Sequence, residues 1–110
     1  MKLIRCVVRE EKIDEVADAL RALDVSGMTI SKVMGMGSCE RQRTAYRGVE
    51  FDLRWLPKMM LDVVASDDAL DDVVRAVTET ARTGHAGDGR IFVIDVDQAY
   101  PIRTRQGGVA

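Results

Sequence analysis

Apolar residues change their spacing several times along this chain of 110 residues, and the order of those changes constrains the fold more than composition does. Residues 3–8 form a β-branched and apolar run that reads as a strand. Ile13, Val16, Ala17, Leu20 and Leu23 then recur at helical spacing, with Glu11, Asp14, Glu15, Asp18 and Arg21 left for a solvated face. After a break over 24–27, residues 28–36 and 59–65 supply two further strands. Leu70, Val73, Val74, Val77 and Ala81 make a second helical stripe, opened by Ser66 and Asp67 as cap residues. Asp68, Asp71 and Asp72 then fall near the positive end of that helix dipole, which explains them without any catalytic role. Residues 91–96 complete a β-α-β-β-α-β order. That order predicts an α+β ferredoxin-like sandwich, a four-stranded sheet covered on one face by two helices. The other face also carries apolar residues, so a neighbouring chain is expected against it.

Two stretches depart from these periods. Residues 37–55 are long, polar and without clean periodicity, and inside a compact domain such a segment is commonly functional. Residues 83–90, TGHAGDGR, set three glycines and an arginine between helix and strand. Glycines let backbone N–H groups approach an anion closely, and a guanidinium can hold the same anion through its fork of donors. Locally, a phosphate cradle and a loop whose Gly84 merely caps the preceding helix are both open.

Composition removes several classes. The length suits one domain, and a net charge of −2 argues against a dedicated nucleic-acid binder. No apolar run approaches the length of a membrane span, and the first residues lack a signal-peptide pattern. Cys6 and Cys39 show no disulfide-scaffold spacing, so a cytoplasmic location is expected, with Cys6 a buried structural thiol. A single histidine, His85, excludes a multi-histidine metal site within the chain.

In register along the chain, the motif TGHAGDGRIFV, the tripeptide Tyr46-Arg47-Gly48, the run Gly27-Met28-Thr29, Gly35, Gly37 and Leu56-Pro57-Lys58 closely resemble the P-II signal-transduction proteins, regulators of nitrogen metabolism. The resemblance runs from the first strand to Arg103. It implies one domain over 1–110, with a T-loop at about 37–55, a B-loop at about 82–90 and a C-terminal segment at about 98–110. It further implies a homotrimer with ATP or ADP in each intersubunit cleft and no catalysis. By position, Gly87, Asp88, Gly89 and Arg90 would hold the phosphates with Arg103, while Thr29, Gly35, Gly37, Asp62 and Val64 would line the adenine and ribose pocket. Arg47, with Tyr46, would present the loop to a partner, an ammonium transporter, another membrane transporter or a metabolic enzyme.

The same comparison predicts an altered response. Such proteins sense 2-oxoglutarate through a lysine, matched by Lys58, and a Mg²⁺ held by the nucleotide and a loop-base glutamine. That glutamine position is Cys39, and a thiol is a poor ligand for so hard an ion. Asp62 stands for a glutamate, Arg90 for a lysine, and Pro101 where a second phosphate-binding arginine is common. Phe51 and Val49 occupy the sites of the tyrosine and serine that relatives modify, so those covalent controls are absent. Cys39 also opens an alternative reading, a trimeric redox- or soft-metal-responsive binding protein. In that reading Arg41 and Arg43 favour the thiolate, or Met34 and Met36 join Cys39 around Cu(I).

Overall fold

Strict alternation in KLIRCVVR builds the first strand, β1 (Lys2–Arg9), which turns Ile4, Cys6 and Val8 inward and leaves Arg5, Val7 and Arg9 on the opposite face. In this computed structural model residues 1–23, 25, 27–36 and 55–107 are described in full, and residues 42–46 and 49–53 by their backbone. A short 3₁₀ turn leads into α1 (Ile13–Arg21), followed by β2 (Met28–Gly35), β3 (Gln42–Tyr46), β4 (Val49–Leu53), β5 (Leu56–Ala65), α2 (Leu70–Ala81) and β6 (Gly89–Asp95). The main sheet has the order β2-β5-β1-β6 and every pairing is antiparallel, which is the expected ferredoxin-like arrangement.

Both helices lie on one face. Val16, Ala17 and Leu20 of α1 and Val73, Val77 and Ala81 of α2 close over Ile4, Cys6, Leu61 and Val63 of the two central strands. Each fully buried Leu or Val in this cluster stabilises the fold by roughly 1.5–3 kcal/mol through removal of apolar surface from water. Cys6 is completely buried, and burial, reinforced by the negative charge of Asp62, pushes its thiol up to about 11. It is the structural thiol that the sequence predicts.

Three local readings of the sequence change. Residues 37–55 are not devoid of regular structure, because β3 and β4 form their own two-stranded sheet, with Tyr46 opposite Val49. Of its strands, Val49–Leu53 alternates apolar and polar residues over only five positions and Gln42–Tyr46 opens on three polar ones, so the segment as a whole shows no sustained period. The third strand of the main sheet starts at Leu56 rather than at 59. Pro57 fits there because the β1 pairing stops at Arg9–Lys58, so β5 is flanked by β2 alone at that point. The second helix is entered through a 3₁₀ turn over Asp67–Ala69, and Ser66 makes no side-chain capping bond; its carbonyl accepts from Ala69 N–H at 3.1 Å.

The face away from the helices brings residues from four strands into rows. Thr29, Asp62, Arg5 and Phe92 lie side by side across the sheet, and Val33, Lys58 and Arg9 form a parallel row nearer its end. Leu3, Val7, Met60 and Val64 are only half-buried there, with Phe92 and Ile94 exposed. Among the described residues no helix is long and apolar enough to cross a membrane.

Candidate functional site

The glycine-rich loop after α2 is held in a defined shape by one carboxylate and two cations. Asp88 folds back on the loop and accepts hydrogen bonds from Thr83 N–H at 2.8 Å, Gly84 N–H at 2.9 Å and the Thr83 hydroxyl. Arg9 reaches across from the end of β1, its Nε donating to Asp88 at 3.1 Å and its Nη2 to the Ala86 carbonyl at 2.8 Å. The Thr83 hydroxyl, then the two loop amides and Arg9, hold the Asp88 carboxyl well below the usual carboxylate range. From β5, Lys58 donates to the Gly87 carbonyl at 2.6 Å.

Backbone geometry requires the glycines. Gly84, Gly87 and Gly89 take φ of +88°, +96° and +111°, values that L side chains rarely adopt. At Gly89 a Cβ would also stand 1.8 Å from the Val7 carbonyl oxygen, so only glycine lets β6 begin beside β1. The helix-cap reading of Gly84 is corrected by its partner: its N–H bonds Asp88, while α2 is closed by Arg82 N–H donating to the Thr78 carbonyl at 3.2 Å. His85 at the loop tip is exposed, its N–H donating to the Thr83 hydroxyl at 3.2 Å.

The positions singled out in the sequence converge in part. Gly35 packs beside Lys58, since a Cβ there would meet Lys58 Cγ at 3.4 Å. Gly35, Lys58, Gly87, Asp88 and Gly89 therefore gather at one end of the sheet. Arg90, exposed on β6, makes no ion pair or side-chain hydrogen bond among the described residues. Thr29, Asp62 and Val64 lie further along the same face, with Asp62 directly opposite both Thr29 and Arg5. Arg103 sits in an exposed turn beyond β6, with no side-chain partner among the described residues. Tyr46 ends β3, whereas Gly37, Cys39 and Arg47 lie outside the described residues. The soft-metal reading of Cys39 falls there too. Met34 and Met36 are exposed, and among the described residues no group of three His, Cys, Asp or Glu side chains could hold a metal ion.

Two arginines matter that the sequence reading passed over. Arg9 positions the loop, and its signal was its place on the same strand face as Arg5, at the end nearest Lys58. Arg5 grips Asp62 in a two-point ion pair, with Nε to one carboxylate oxygen and Nη2 to the other, both at 3.0 Å. That hydrogen bonding and the carboxylate charge raise the Arg5 guanidinium further above its already high value. A cavity of about 300 Å³ beside Lys58 is lined by Arg9, Glu10, Glu11, Leu56, Pro57 and Lys58.

Chemically, the loop is a glycine-rich run braced by its own carboxylate and flanked by the cationic side chains of Arg9, Lys58 and Arg90, a composition suited to an anion. The chain as a whole is similar to known proteins. The family described as "Nitrogen regulatory protein P-II" matches residues 1–106. The chain is 42% identical to the nitrogen regulatory protein P-II 1 of Methanothermobacter thermautotrophicus, over 98% of this chain and 94% of that protein. It is 42% identical to the P-II protein of Haemophilus influenzae, over 94% of this chain and 93% of the relative. With the nitrogen regulatory protein GlnK of Escherichia coli K12 it shares 36% identity over 100% of this chain and 98% of that protein. A match through the first strand, the ferredoxin-like core and the glycine loop identifies this chain as a member of the P-II family of nitrogen-regulatory signal-transduction proteins.

Proposed function

We propose that the protein is a non-catalytic ATP- and ADP-binding regulator that controls a transporter or enzyme of nitrogen metabolism through its long loop. The observation that carries this reading is the preorganised glycine loop. Asp88, Arg9 and Lys58 fix it before any ligand arrives, so ordering it costs a phosphate little binding energy. Gly87, Asp88 and Gly89 offer their backbone amides and Arg90 its guanidinium to the phosphates, while Thr29, Gly35, Asp62 and Val64 form the floor for ribose and base. Gly37 and, from a neighbouring copy, Arg103 complete the cleft. The half-buried apolar face of the sheet supports a homotrimer, since Phe92 and Ile94 lie 45% and 42% exposed in the single chain.

For such a regulator the two nucleotides must differ in affinity for two states of the loop over 37–55. Arg47 and Tyr46, of the tripeptide Tyr46-Arg47-Gly48, are the contacts we assign to the partner. The response to 2-oxoglutarate is the part we expect to have changed. Cys39 replaces an oxygen ligand for Mg²⁺, and the Lys58 ammonium is already directed at the Gly87 carbonyl beside a cavity that includes Glu10 and Glu11. Glu10 and Glu11 there offset the charge that Arg9 and Lys58 would offer a dicarboxylate.

Calorimetric titration tests the reading. ATP and ADP bind the intact protein, Arg90→Ala weakens both by about tenfold as a charged phosphate contact is lost, and 2-oxoglutarate adds little heat to the Mg-ATP complex. Absence of any nucleotide heat refutes the proposal, and tight 2-oxoglutarate binding refutes the altered response.

A further inference from the structure

Asp62 and Arg5 form an isolated charged pair on a sheet face whose other central residues are largely apolar, and the pair has a consequence for ligand choice. Lys58 and Asp62 stand on the same face of β5, four residues apart, so about 13 Å separates the glycine-loop end of the sheet from the pair at strand rise. That is the length scale of an extended nucleoside triphosphate. A ligand with its phosphates in the glycine loop therefore has its base within reach of Asp62, Thr29 and Arg5.

An unengaged carboxylate in that place favours guanine, whose N1–H and N2–H groups donate in parallel to two carboxylate oxygens. Here both oxygens are taken. Arg5 Nε holds one and Nη2 the other, each at 3.0 Å, in the two-point geometry that is both strong and orienting. The Asp62 side chain is only 20% exposed, and Arg5 covers it from the neighbouring strand in direct register. What remains is one outward acceptor position on the carboxylate beside the outer guanidinium edge, a single acceptor next to a donor. Adenine, with its N6 amino donor beside the N1 acceptor, fits that pair. Guanine satisfies it only through O6 and N1–H, which leaves its N2 amino group without a partner.

We infer that Arg5 is the base-specificity residue of this site: by occupying both oxygens of Asp62 it denies guanine a two-point grip and leaves a recognition edge that suits adenine. The inference rests on the nucleotide reading above.

Titration of ATP, GTP and inorganic tripolyphosphate into the wild-type, Arg5→Met, Arg5→Lys and Arg5→Met/Asp62→Asn proteins tests it. Circular dichroism and oligomeric state serve as the folding checks. The wild type prefers ATP. Arg5→Met frees the carboxylate and moves the ATP-to-GTP ratio toward GTP by about tenfold, the scale of one charge-assisted hydrogen bond. Arg5→Lys, which keeps the charge but not the fork, gives a smaller move. The double variant loses the gain in GTP binding, because an amide offers one acceptor oxygen. Tripolyphosphate binds all four proteins alike, which places the change at the base end. An unchanged ATP-to-GTP ratio in folded Arg5→Met, with ATP still bound, overturns the inference alone. Failure of the wild type to bind either nucleotide overturns the nucleotide reading and this one with it.

Discussion

Replacing Gly89 by alanine should be among the most damaging single-methyl changes in the described part of the protein. The added Cβ falls 1.8 Å from the Val7 carbonyl oxygen and 2.9 Å from its carbon. Both atoms belong to the backbone of β1, so no rotamer change relieves the overlap. Gly89 must also leave φ +111° or hold alanine in a conformation that costs roughly 1–2 kcal/mol. Moving the start of β6 away from β1 breaks one or two ladder hydrogen bonds near the Val8–Gly89 pair, each worth about 0.5–1.5 kcal/mol net. The sum is about 1.5–5 kcal/mol. Urea unfolding followed by circular dichroism measures it as a fall in midpoint at unchanged slope. Gly27→Ala is the control, since a Cβ there has nothing within 4 Å, and it should shift stability by well under 1 kcal/mol. If Gly89→Ala unfolds within about 0.5 kcal/mol of wild type, a margin typical of neutral surface changes, the steric argument is wrong and the loop is not pinned where we place it.

Acid should loosen the glycine loop before the core. Asp88 is held below its unfolded value near 3.9, so its contribution is fully present above that pH and is lost as pH falls through the lower folded value. Hydrogen-exchange protection of the Gly84 amide, its exchange rate relative to that of an open amide at the same pH, should hold down to about pH 4 in wild type and be absent throughout in Asp88→Ala; equal protection would remove Asp88 as the clasp. Arg9→Met should weaken ATP by about tenfold by freeing Asp88 and the Ala86 carbonyl, with little change in urea midpoint, and an undiminished affinity counts against preorganisation. Cys6, completely buried with its thiol pushed up to about 11, should resist disulfide reagents at pH 8 in a Cys39→Ser background until denaturant is added. Rapid labelling of the folded protein would contradict its burial.

The legible part of this protein is the part written in periodicity. The stripe Ile13, Val16, Ala17, Leu20 and the stripe Val73, Val77, Ala81 announce two helices with one apolar side, and the order of strands around them leaves few ways to close a core. The strand ribbon over 42–53 escaped that grammar because only Val49–Leu53 alternates, over five positions, while its partner Gln42–Tyr46 opens on three polar residues. The start of α2 escaped it as well, because Ser66 favours a cap by type but spends its carbonyl on a 3₁₀ turn.

For the site, the sequence by itself determined which residues are present: three glycines that permit positive φ, a carboxylate and an arginine between a helix and a strand, and a lysine four positions before Asp62. It also determined the family, because those motifs occur in order over nearly the whole chain. Only the tertiary structure decided what the charges do. Asp88 proved to be the clasp of its own loop, Arg9 its anchor, Lys58 a donor to Gly87, and Asp62 the property of Arg5. Such pairings join residues as many as 79 positions apart. Sequence spacing cannot fix a hydrogen bond between distant strands, because its partner is set by the register of the sheet, which exists only once the core has closed.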